Sequence, residues 1–181
     1  MTTPALAGLT AIVLTKNEAD NISACLASLG FAGARLVLDS ASTDGTQERA
    51  AAAGARVLQR PFDDFSSQRN FALAQAATDW VLMIDADERV PDALATEIAG
   101  AIAAATPDGP AAYRLRRNNL YLGRPLRFCG AGRDEVIRLF RRDRVEYANL
   151  VHETPRINGA VADLSTPLEH HTARTLAERL H

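Results

Sequence analysis

Cysteine is scarce in this chain. The 181 residues hold two, Cys25 and Cys129. Two are too few for a disulfide framework, so a reducing compartment and free thiols are expected. Residues 1–8 carry no basic residue and no long apolar run, which argues against a signal peptide. The longest strongly apolar run, Trp80–Ile84, is far shorter than the ~20 residues a helix needs to cross a bilayer. No G-x-G-x-x-G and no Gly-rich loop with lysine follows a strand-like run, which removes two common phosphate-binding devices. Internal repeats and low-complexity linkers are absent as well. What remains is an ordinary globular composition, 47% hydrophobic and 23% charged. Its length suits one domain spanning residues 1–181, with halves at 1–110 and 111–181.

The formal net charge of −2 hides an asymmetry. Residues 1–113 hold seven basic and fourteen acidic side chains; residues 114–144 hold ten arginines and three acids. The first stretch is suited to cations and the second to anions. A solvated face rich in arginine is the plainer explanation of the second.

Strands and helices are expected to alternate. Leu9–Leu14 and Trp80–Ile84 read as buried strands, with Arg35–Leu38 and Arg56–Leu58 as shorter ones. Ile22, Leu26 and Leu29 mark one helix, capped by Asn17 or Asp20. Gln47–Ala53 is a second, stopped at Gly54. A third begins under Ser66 or Ser67 and runs to about Ala77. Pro91 opens a fourth, whose apolar face is Leu94, Ile98 and Ile102. Beyond residue 110 the pattern changes. Tyr113–Arg116, Val136–Phe140 and Ile157–Leu164 are strand candidates, Leu122–Gly132 is a loop, and Thr172–His181 looks like the start of a helix. The fold class is α/β, with a mostly parallel mixed sheet between helices on both faces.

Such sheets bind ligands at the carboxyl ends of their strands. Thr15, Asp39, Asp85 and Asp87 all fall there and should converge on one edge. Asp85-x-Asp87 offers hard oxygen ligands for Mg²⁺ or Mn²⁺, shared with substrate phosphates. A solvated acidic turn is the plain alternative. Asp39 can accept hydrogen bonds from a nucleobase or ribose; a helix-capping loop accounts for Ser42, Thr43 and Asp44 in any case. Arg69 can meet a phosphate, though a lone surface arginine is the default. Glu153 is a candidate general base, and His152 a candidate third metal ligand or phosphate contact. His170-His171 is a second imidazole pair with no assigned role. Cys25 reads as a small core residue, and Cys129 has no partner.

In order, these pieces resemble family 2 glycosyltransferases. They are Ile12–Glu18, Val37–Thr46, Gln68–Leu73, Trp80–Glu88, Arg138–Arg142 and Val151–Glu153, covering roughly residues 9 to 155. The resemblance implies the GT-A fold, a Rossmann-like α/β/α arrangement. It is nearest to the subgroup that adds a hexose to the lipopolysaccharide inner core. It implies that Thr15, Glu18 and Asp39 contact the nucleoside, most simply uridine, and that Arg69 helps hold the donor. Asp85 and Asp87 would hold the ribose and the metal–diphosphate. Glu153 stands where inverting members put their base. His-Glu replaces the commoner Glu-Asp there, and Asp134 and Glu135 are the alternatives. The implied partners are a nucleotide-sugar donor, a glycan or glycolipid acceptor and an anionic membrane surface, with no nucleic acid. The implied location is cytoplasmic, at the inner face of the membrane. The chain is also short for a subgroup that usually carries further helices.

Two rivals are a phosphatase or nucleotidyltransferase with the same D-x-D, and an inactive sugar-nucleotide or glycan binding module. Aspartate phosphatases put their acid pair after the first strand, which here ends in Thr15-Lys16-Asn17.

Overall fold

The computed structural model describes residues 5–121, 124–125, 134–148 and 154–173. The first half alternates strand and helix: β1 (Leu6–Thr15), α1 (Ala19–Ser28), β2 (Ala32–Asp39), α2 (Thr46–Ala52), β3 (Arg56–Gln59), α3 (Phe65–Ala74) and β4 (Trp80–Asp85). A two-residue β5 (Glu88–Arg89) and α4 (Asp92–Ala103) follow. The rest is strand: β6 (Ala112–Tyr121), β7 (Arg124–Pro125), β8 (Glu135–Arg141), β9 (Val145–Glu146), β10 (Arg156–Ile157), β11 (Val161–Asp163) and β12 (Leu168–Ala173).

One mixed sheet runs β3-β2-β1-β4-β8-β6-β12-β5, with β7 and β11 also paired to β6. The strands β3, β2, β1 and β4 are mutually parallel. β8 enters antiparallel between β4 and β6. The pleat sorts side chains to two faces, and each face carries helices. Leu9, Ala11 and Val13 of β1, with Leu82 and Ile84 of β4, pack against Ile22 and Leu26 of α1, Ala50 of α2 and Leu94 and Ile98 of α4. Ile12, Val81 and Met83 face the other way, onto Ala72 and Leu73 of α3. Every one of these is buried, and two apolar faces on one sheet require two helical layers.

Several boundaries differ from the sequence reading for local reasons. α1 begins after Glu18, with neither Asn17 nor Asp20 as its cap. Asn17 is left-handed (φ 56°), and its side chain accepts from Thr43 N–H instead. Asp44 reaches across to accept from Ala19 N–H (2.9 Å), so the loop after β2 caps the helix that follows β1. The cap of α3 is Asp64, not Ser66 or Ser67; it accepts from Ser67 N–H and Oγ (2.8 and 2.6 Å). The expected strand Ile157–Leu164 is divided. Ile157 belongs to β10, which pairs with β9, and Val161 opens β11 beside β6. Between them Gly159 takes φ 141°, and a Cβ there would lie 2.7 Å from Ala111 Cβ. Thr172 and Ala173 belong to β12 rather than to a helix. Residues 174–181, most of the expected Leu122–Gly132 loop and Cys129 lie outside the described residues.

Candidate active site

The parallel register aligns the carboxyl ends of three strands. Thr15 sits opposite Asp39, and Leu14 opposite Asp85. A cleft of about 540 Å³ opens over this edge. Thr15, Glu18, Arg69, Asp85 and Asp87 line it, with His170 on the far wall. Five of the eight residues proposed from sequence are therefore together. His152 and Glu153 lie outside the described residues. Asp39 is at the same edge but turned inward, with no exposure. Its carboxylate accepts from Thr15 Oγ1 (2.9 Å), Ser42 N–H (2.8 Å), Ser42 Oγ (2.5 Å) and Gln47 Nε2 (2.6 Å). In this arrangement Asp39 ties β1, β2 and α2 together beneath the cleft.

The floor is knitted by its two loops. Lys16 Nζ donates to the carbonyls of Ser40 and Ala41, both at 2.7 Å. Asn17 N–H donates to Ser42 Oγ, and Glu18 N–H to Thr46 Oγ1. At one end of the cleft Phe62 and Phe65 are half-exposed and meet edge to face, 4.9 Å between centroids.

The triplet Gln68-Arg69-Asn70 divides its labour. Gln68 is buried and donates to Pro61 O. Asn70 exchanges two hydrogen bonds with the backbone of Tyr147 (2.6 and 3.0 Å). Arg69 lies over the Tyr147 ring and 3.6 Å from Asp85 Oδ1, with a side chain only 12% exposed. It is not a surface arginine.

Asp85 and Asp87 diverge from one another. Asp85 pairs with Arg138 from β8, which also donates to Glu88 Oε1 (2.7 Å). Burial would raise the Asp85 carboxyl, but Arg138, Arg69 and Arg117 outweigh it and hold the group below its ordinary range. Glu88 has no exposure; burial pushes its carboxyl up, and Arg138 only partly offsets this. Arg138 is held cationic by the two acids despite its burial. Part of the arginine-rich segment thus turns inward to the acidic half rather than out to a partner.

Asp87 meets His170 of β12, Oδ2 to Nε2 at 3.1 Å. The contact raises the imidazole's pKa, chiefly through the hydrogen bond that the ring N–H donates to Asp87 and against burial. His171 N–H donates to Asp87 O, which docks β12 on the turn after β4. His170 had no role in the sequence reading. It stood there only as one of an imidazole pair, because its partner lies 83 positions away. Among the described residues no three His, Cys, Asp or Glu side chains form a metal cluster. Asp87 and His170 supply two donors, a set that fits a hard cation completed by substrate oxygens.

The two alternative bases are both engaged elsewhere. Asp134 is held by Arg117 through Nε and Nη2, each 2.9 Å. Glu135 is exposed, 3.7 Å from Arg114, on a separate depression with Arg116 and Asp163.

The sequence model for "Glycosyl transferase family 2" matches residues 10–159. An uncharacterized glycosyltransferase of Rickettsia typhi is 31% identical over 147 residues, 81% of this chain and 50% of that protein. The lipopolysaccharide core biosynthesis glycosyltransferase LpsC of Rhizobium meliloti is 30% identical over 165 residues, 87% of this chain and 60% of that one. The chain thus spans about half the length of the Rickettsia relative. Among solved structures, glucosyl-3-phosphoglycerate synthase from Mycobacterium tuberculosis, in complex with Mn²⁺, UDP and phosphoglyceric acid, superposes with a TM-score of 0.60 at 20% identity, over 94% of this chain and 72% of that one. Staphylococcus aureus TarS 1–349 gives 0.64 at 16% identity, over 90% and 60%. With the GT-A sheet, the strand-end cleft and the match over residues 10–159, the chain belongs to glycosyltransferase family 2.

Proposed function

We propose that residues 1–181 are a single catalytic domain of a metal-dependent inverting glycosyltransferase. It moves a hexose from a UDP-sugar to a glycan or glycolipid acceptor, with lipopolysaccharide core as the acceptor class. The observation that carries this reading is one cleft holding Glu18, Arg69, Asp85, Asp87 and His170 at the ends of parallel strands. UDP and Mn²⁺ accompany the Mycobacterium tuberculosis neighbour, and lipopolysaccharide core biosynthesis is named for the Rhizobium relative.

In this reading the phosphates lie toward Asp87 and His170, and the uracil toward the apolar end at Phe62 and Phe65. Thr15 and Glu18 border the ribose and base, and Asp39 stiffens that wall from below. Asp87 and His170 hold Mg²⁺ or Mn²⁺, with His152 as a further ligand. Bound there, the cation neutralises charge on the diphosphate. Arg69 adds a second positive group on the same side. Glu153 accepts the proton of the acceptor hydroxyl as its oxygen bonds to the anomeric carbon. The bond from that carbon to the phosphate oxygen breaks, and its electron pair leaves with UDP. Asp134 and Glu135 are bound to Arg117 and Arg114, which favours Glu153 as the base. The exposed Arg142 and Arg144 suit an anionic acceptor or the headgroups of the inner membrane face. Among the described residues no helix is long and apolar enough to cross a membrane.

The test is a titration of UDP, GDP and ADP with and without Mn²⁺, followed by a donor screen for metal-dependent release of nucleoside diphosphate. UDP should bind more tightly with Mn²⁺, and Asp87→Ala should abolish the difference. If no nucleotide binds in a metal-dependent way, the reading fails.

A further inference from the structure

Three polar side chains of α1 lie on one line. Asn21, Cys25 and Ser28 stand at i, i+4 and i+7, the spacing that puts residues on one face of a helix. Each of them is tied to the segment that carries Asp85 and Asp87. Cys25 Sγ lies 3.7 Å from Asp85 O. Ser28 Oγ accepts from Val90 N–H (3.1 Å) and donates to Cys25 O (2.7 Å). Asn21 is reached through Arg89 of β5, a buried side chain. Arg89 Nη1 donates to Ala86 O and Glu88 O, both at 2.7 Å. Its Nη2 donates to Asn21 O (3.1 Å) and Asn21 Oδ1 (3.4 Å).

The link continues to the other side of the cleft. Asn21 Nδ2 donates to Glu18 Oε2 (2.8 Å). A guanidinium can only donate, so the Asn21 oxygen must face Arg89 and its NH₂ must face Glu18. Both ends of the amide are therefore used, in one orientation. At the far end, Ala86 O belongs to the planar peptide unit that joins Ala86 to Asp87. Holding that oxygen fixes the plane from which Asp87 leaves. Glu18 and Asp87 both line the cleft, so one chain of groups behind its wall spans from one to the other. No step of the reaction described above uses Asn21 or Arg89.

We propose that Asn21 and Arg89 are positioning residues that form a strut between Glu18 and the turn bearing Asp87. The strut fixes the two groups relative to one another, so the nucleoside and diphosphate ends of the donor meet one preformed surface. The roles of Glu18 and Asp87 rest on the reading above, but the strut is a property of the chain alone. A preformed site spares the donor the cost of ordering the turn as it binds. Arginine is needed at position 89 because its rigid planar fork reaches carbonyl groups on two elements at once. A lysine ammonium is a compact point donor and cannot span them in the same way.

The experiment compares wild type with Asn21→Leu, Arg89→Lys and the double variant, each checked for folding by circular dichroism. Should Arg89→Lys fail to fold, Asn21→Leu, at a half-buried position, decides alone. The first readout needs no ligand. Amide hydrogen exchange across residues 85–90 should quicken in both single variants, including Asn21→Leu, whose substitution lies on another element. The second is the gain in UDP affinity on adding Mn²⁺, which should fall roughly 10- to 100-fold in each. The double variant should lose little more than the weaker single, because both break one link. Unchanged exchange across residues 85–90 overturns the strut. Quicker exchange with an undiminished Mn²⁺ gain overturns its part in donor binding and leaves a purely structural contact. A wild type whose UDP affinity ignores Mn²⁺ overturns the metal reading and the positioning part with it, while the exchange rates still decide the strut.

Discussion

Arg138 is the residue whose removal should be felt most. Its side chain is 8% exposed and ends between Asp85 and Glu88. Arg138→Met keeps the length and removes the charge. Glu88, with no exposure, would retain Asp85 N–H at 2.9 Å and Arg117 at 3.5 Å, beside a second carboxylate. Breaking a buried pair from one side costs about 3–5 kcal/mol. At roughly 2.1 cal/mol/K per residue, unfolding this chain carries an entropy of about 380 cal/mol/K, so Tm should fall by about 8–13 °C. The penalty should depend on pH. Burial already raises Glu88, and the variant would raise it further. An acid whose folded pKa lies above its unfolded value contributes stability below the unfolded pKa and loses it as pH rises through the folded one. The loss should therefore be smaller near pH 5.5 than at pH 8. Urea denaturation at the two pH values measures it. Arg138→Met/Glu88→Gln should regain most of the loss at pH 8, since the amide carries no charge to bury. A single-variant loss under about 1 kcal/mol, or a double variant no better than the single, would refute the account of a buried charge held by Arg138.

Phe62→Ala and Phe65→Ala should each weaken UDP binding by about 1 kcal/mol, roughly five-fold, if the base stacks at that end of the cleft; calorimetry with Mn²⁺ present checks this. Glu97 accepts from Ser165 N–H, Ser165 Oγ and Thr166 N–H, and though burial raises its carboxyl, these bonds lower it to about 2. Glu97→Gln should cost about 1 kcal/mol at pH 7 after solvent screening, and the cost should shrink as pH falls from 4.5 toward 2, because a depressed acid stabilises only above its folded pKa. Cys25 is fully buried, and burial pushes its thiol up to about 12. In a Cys129→Ser background iodoacetamide should leave the native protein unlabelled at pH 8 and label it in urea, as mass spectrometry would show.

The strands that build the floor were legible because their residues are apolar in unbroken runs. Trp80–Ile84 can be nothing but buried, and the acids that follow it mark the strand end. Thr15, Asp39, Asp85 and Asp87 could be gathered on one edge from strand ends with no knowledge of distances, whereas Glu18 and Arg69 joined them only through the family resemblance. The caps were not legible. Asn17 and Ser67 have the right chemistry, but Asn17 is drawn to Thr43 and Ser67 to Asp64, and those choices depend on loops meeting in space. β5 and β12 were beyond reach as well. Two residues of Glu-Arg and a stretch of Leu-Glu-His-His carry no strand signature until β6 supplies the ladder. His170 stayed without a role for the same reason.

The insertion of β8 between β4 and β6 also bears on how this domain can be divided. A chain ending after α4 would keep every parallel strand of the first half, together with the cleft's loops. It would also keep the buried Glu88 and lose both arginines that face it, Arg117 and Arg138. Asp85 and Glu88 of the acidic first part and Arg117 and Arg138 of the basic middle are each other's counterions within one sheet. Recombination between relatives at the obvious boundary near residue 110 would exchange partners of a buried charge cluster, and would have to carry both sides of it together.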